Sequence, residues 1–112
     1  MRVLAVWEPI LFTDFSKPAS MVLRRLSDPR VLHFWDPNHL VAEQLARYSD
    51  PSQNQPACCS QRGTLWDLAA VYPPRTLWEQ RLPYALVFGG PVISQRDSIA
   101  EVLDRSDVRS TR

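Results

Sequence analysis

Cys58 and Cys59 are the residues with the most reactive chemistry in the chain, and they are adjacent. Neighbouring Cα atoms lie about 3.8 Å apart across a trans peptide. A disulfide usually needs roughly 4.4 to 6.8 Å, so the expected resting state is a pair of reduced thiols. With Arg62 close by to favour the thiolate, such a pair can chelate a soft metal or metalloid of the mercury or arsenic type, or oxidise as a sensor. The ordinary alternative is that the cysteines pack under their loop. His33, Asp36 and His39 follow one another at intervals of three across an expected strand end and helix start. A bend there could gather them as borderline metal ligands. Equally, His33 could pack beside Phe34 and Trp35, Asp36 could cap a turn, and His39 could be solvated. Glu8 and Asp14 fall near the end of the first expected strand, where open α/β sheets place ligands, though capping is the commoner use of such carboxylates.

Other chemistries are not visible. There are only three glycines, Gly63, Gly89 and Gly90, and no phosphate-cradling loop, dinucleotide fingerprint or Ser-His-Asp pattern. A formal charge of +1, with 22% charged and 45% hydrophobic residues, points to no nucleic-acid or acidic-membrane partner and to no global disorder. Of the 13 basic residues only Lys17 is a lysine. No stretch approaches the ~20 apolar residues of a membrane span. Glu8 and Pro9 cut short the apolar run at the start, so no export signal is expected and a cytoplasmic location is the default. The first strand starts at about residue 2, which leaves room for a lost leader.

These residues must be positioned by one domain, expected to span residues 1–112. The apolar density of residues 2–11 reads as a buried strand. Ser16, Lys17 and Pro18 open a helix whose Ala19, Val22, Leu23 and Leu26 share one face. Residues 31–35 are the second strand, and Asn38 is the expected cap of a second helix carrying Val41, Leu45 and Tyr48. A proline- and glutamine-containing loop over 49–63 carries both cysteines. Strand character returns over 64–72, and Thr76 with Glu79 has capping-box spacing for one helical turn. The run Leu82-Pro83-Tyr84-Ala85-Leu86-Val87-Phe88-Gly89-Gly90 reads as a strand buried on both faces and ending in a hairpin turn. A short edge strand over 91–93, a helix over 94–105 and a polar tail over 107–112 complete the chain.

That order resembles the thioredoxin fold. In that family a cis proline precedes the strand of the closing hairpin, and Leu82-Pro83-Tyr84 looks like this segment, with Ser16-Lys17-Pro18-Ala19 standing where the redox tetrapeptide would be. The resemblance implies an α/β three-layer fold with a mixed central sheet of about four to five strands flanked by helices. It also implies a protein or peptide site beside Pro83, with Trp7, Phe15, Trp35 and Tyr84 making an apolar groove with the proline and Asp14, Ser16, Lys17 and Pro18 at its edge, although these aromatics could equally be core. Both cysteines of the tetrapeptide are missing. A thiolate and a resolving thiol are both required for dithiol exchange, so the leading expectation is a non-catalytic binding or accessory module without a cofactor. The alternative is a thiol-dependent oxidoreductase or soft-metal protein that uses Cys58 and Cys59.

Overall fold

The computed structural model describes residues 1–9, 23–54, 60–61 and 64–110, of which 60, 61, 64 and 107–110 are described by their backbone alone. In chain order the elements are β1 (Val3–Trp7), a 3-10 turn (Arg24–Leu26), β2 (Val31–Trp35), α1 (Leu40–Tyr48), β3 (Ser60–Gln61), β4 (Thr64–Leu65), β5 (Ala69–Val71), β6 (Val87–Gly89), a second 3-10 turn (Val92–Gln95) and α2 (Arg96–Ser110).

The expected central sheet of four to five strands is not what forms. Among the described residues there are three separate two-stranded sheets: β1 with β2, β3 with β4, and β5 with β6. The first is parallel and in direct register, with Val3 opposite Val31 and Trp7 opposite Trp35. The other two are antiparallel. Among the described residues no ladder joins the parallel pair to the antiparallel ones and there are two α-helices, so the expected three-layer architecture with a central sheet of four to five strands is corrected to a set of small pairs.

The reason is most visible along residues 82–89. Pro83 has no N–H to give to a ladder. Ala85 turns its backbone to a side chain, donating its N–H to Gln53 Oε1 at 2.7 Å and accepting from Gln53 Nε2 at 3.3 Å. Leu86 N–H then reaches Val71 O at 2.7 Å, and only Val87–Gly89 continues as strand, against Ala69–Val71. Leu82, Ala85 and Val87 are buried whereas Tyr84 and Leu86 are about half exposed, so the segment has one wet face rather than two dry ones. The cis X–Pro bond among the described residues is Gly90–Pro91, not Leu82–Pro83.

Three further expectations are corrected nearby. The strand over 64–72 is two pieces, because Asp67 takes a left-handed backbone (φ 49°) and its Oδ1 accepts the Val92 N–H at 3.2 Å. Residues 91–93 are not an edge strand: Pro91 accepts from the Ser94 N–H at 3.0 Å and starts the Val92–Gln95 turn. Thr76 opens no helix; its hydroxyl donates back to Pro73 O at 2.8 Å. The last helix is longer than expected, running through 107–110.

The core is small. Its buried apolar residues are Ala42 from α1, Leu65 from β4, and Leu82, Ala85 and Val87 from the clamped segment. Tyr48 O, at the end of α1, accepts the Leu82 N–H at 2.8 Å and so finds a partner for a carbonyl that a helix end leaves unpaired. The Ser49 hydroxyl does the same for Leu45 O. No helix among the described residues is long and apolar enough to cross a membrane.

Candidate functional site

Two places collect residues with chemistry. The first lies at the carboxyl ends of β1 and β2. Parallel pairing brings Trp7 beside Trp35, and the Trp7 carbonyl accepts the Asp36 N–H at 2.7 Å, which fixes the start of the following turn. Asp36 is buried, and its two oxygens accept from Leu40 N–H at 2.9 Å and Val41 N–H at 2.8 Å. It therefore caps α1 in place of Asn38, by satisfying two amides that a helix start leaves without partners. His39, between cap and helix, takes a left-handed backbone with φ 56° and ψ 32°. Its ring turns back across the strand ends to Glu8, Nδ1 to Oε2 at 2.9 Å.

His33 is spent differently. The Trp7 indole N–H, which can only donate, gives to His33 Nδ1 at 3.0 Å, so the imidazole proton sits on Nε2 and is donated to Leu26 O at 3.0 Å. The Trp7 and His33 rings stack with centroids 6.2 Å apart. His33 thus ties β1, β2 and the Arg24–Leu26 turn together, and neither ring nitrogen is left for a ligand. His33, Asp36 and His39 each have their own partners, and among the described residues no group of three or more His, Cys, Asp or Glu could hold a metal.

The second place is a shallow depression containing Pro83, lined with Leu77, Glu79, Gln80 and Arg81. Its apolar part is Leu77, which is 76% exposed, together with the proline ring. Trp78 and Tyr84, next in the chain to lining residues, are also exposed. Glu79 and Arg81 put one charge of each sign on the rim. Trp7 and Trp35, expected as walls of a Pro83 groove, are instead half-buried in the parallel pair and are not among its lining residues.

Asp14, Phe15, Ser16, Lys17, Pro18, Cys58 and Cys59 lie outside the described residues. Sequence reasoning named Glu8 and His39 separately but did not pair them, since 31 residues separate them and only the parallel register closes that distance. It also missed Leu77, Gln80 and Arg81, because capping-box spacing assigned that stretch to a helical turn. Compared with known proteins, the chain matches no family model, no curated protein and no solved structure.

Proposed function

We propose that the chain is a binding module whose contact surface is the depression beside Pro83, and that Ser16-Lys17-Pro18-Ala19 carries no dithiol chemistry. The observation that supports this most is the lining itself: an exposed leucine, a proline ring, an amide and two opposite charges, with Trp78 and Tyr84 exposed alongside. Apolar ground with a few polar groups is what a short peptide needs. The aromatic and aliphatic surfaces bury area, and the Gln80 amide, Glu79 carboxylate and Arg81 guanidinium set direction and register. Exposed aromatic rings are also the side chains that most often anchor an interface.

The ligand class is an extended peptide segment with an apolar anchor between residues of opposite charge. Such a shallow site supports micromolar rather than nanomolar affinity, on the order of 8 kcal/mol. Selection from a displayed peptide library against the intact chain should enrich peptides of this pattern, and Leu77→Asp should reduce their binding by about tenfold or more. Failure to enrich any pattern, or binding indifferent to Leu77→Asp and to Arg81→Ala, would remove the reading.

A further inference from the structure

At the carboxyl ends of β1 and β2 a carboxylate holds one nitrogen of an imidazole and leaves the other open. A carboxylate only accepts, so in the 2.9 Å contact His39 Nδ1 donates to Glu8, and whenever the ring is neutral its lone pair is on Nε2. Among the described residues Nε2 has no hydrogen-bond partner, and the side chain is 32% exposed. The backbone beneath it is unusual for a residue with a side chain. Its φ of 56° is held by the His39 N–H reaching Asp36 O and by Glu43 N–H reaching His39 O at 2.9 Å. Strained positions of this kind persist only where the surroundings enforce them. His33, the other of the two histidines, is the internal contrast, since both of its nitrogens are taken.

We propose that His39 is a nucleophilic imidazole whose Nε2 accepts acyl groups from activated esters, with Glu8 as the residue that positions it. The Nε2 lone pair attacks the ester carbonyl carbon, the bond from that carbon to the leaving oxygen breaks, and the released alkoxide takes a proton from water. Glu8 accepts from Nδ1–H throughout and stabilises the acylimidazolium, as a carboxylate does behind a reacting histidine. Water then attacks the acyl carbon, the carbon–Nε2 bond breaks, and the acid leaves with the ring restored, so ester and water become acid and alcohol. Uncharged acyl donors are favoured over phosphoryl donors because the Glu8 and Asp36 carboxylates gather at this end and repel anions.

The test uses the intact chain with diethyl pyrocarbonate and acetyl phosphate as probes, reading both histidines by peptide mass. Diethyl pyrocarbonate should label His39 about tenfold or more faster than His33, and acetyl phosphate should label neither. Glu8→Gln should slow His39 labelling about tenfold and move its imidazole nitrogen NMR shifts, because an amide can impose the other tautomer. With Cys58→Ser and Cys59→Ser in place to remove the competing thiols, release of p-nitrophenol from its acetate ester should fall about tenfold or more in His39→Asn, a residue that tolerates the same backbone. Equal labelling of the two histidines, labelling of His39 unchanged in Glu8→Gln, ester release unchanged in His39→Asn, or faster transfer from acetyl phosphate would each overturn the proposal.

Discussion

Both oxygens of Asp36 accept from the first turn of α1, and the residue is only 7% exposed. Removing that carboxylate strands two amides at a nearly dry helix start. Asp36→Ala should therefore lower stability by about 2 kcal/mol in urea denaturation, with Asp36→Asn, which keeps one acceptor, losing less. A stability unchanged in Asp36→Ala would free the residue for some other role. Asp28 offers a cleaner electrostatic reading. The Arg30 guanidinium donates to both of its oxygens, at 3.0 and 2.7 Å, and the Arg30 backbone N–H adds a third bond at 2.8 Å. First the side-chain bonds and then the backbone bond hold its pKa down, from an ordinary 3.8 to about 2. Because the folded value lies below the unfolded one, the contribution is present above pH about 3.8 and is lost as pH falls through about 2. Carboxyl NMR should find that low midpoint and find it restored toward 3.8 in Arg30→Ala. Residues such as these are partly legible in a sequence: an Asp before a helix is a cap candidate. The Glu8 and His39 pairing is not, because it depends on a strand register.

At the scale of elements, the segment from Leu82 to Gly89 is held by several different devices. Tyr48 O takes the Leu82 N–H, the Gln53 amide clamps Ala85, Val71 O takes the Leu86 N–H, and a three-residue ladder follows. A glutamine side chain presents an acceptor and a donor with the geometry of a peptide group, so it can stand in for a neighbouring strand over one residue. Gln53→Ala should leave both Ala85 backbone groups unpaired in a residue that is 2% exposed, at a cost of about 1 to 3 kcal/mol in chemical denaturation. A loss below about 0.5 kcal/mol would show that water replaces the amide. Apolar content made a first strand readable within 2–11, where Val3–Trp7 forms one, together with a strand at 31–35 and a helix after Asn38. Pairing was not readable. The run from Tyr84 to Phe88 is continuous in hydrophobicity, yet its alternate residues Tyr84 and Leu86 face water, and nothing in residue type announces that Gln53 fills the neighbouring strand position.

At the scale of the molecule, the small sheets leave many apolar side chains exposed among the described residues. In the parallel pair Leu4 stands opposite Leu32 and Val6 opposite Phe34, all four exposed on one face, whereas parallel sheets are ordinarily covered on both. Phe34→Ser and Leu32→Ser should lower binding of a hydrophobic dye while leaving stability within about 0.5 kcal/mol, since little packing is lost at an exposed position. A larger loss of stability would mean that the face is packed. The Pro83 depression sets exposed apolar side chains beside polar and charged ones, and the proposed binding role rests on that combination. The most direct measurement is amide chemical-shift mapping of a library-selected peptide titrated into the intact chain. The binding-module account predicts perturbations concentrated at Leu77, Gln80, Arg81 and Tyr84, whereas perturbations concentrated on Leu4, Val6, Leu32 and Phe34 would contradict it.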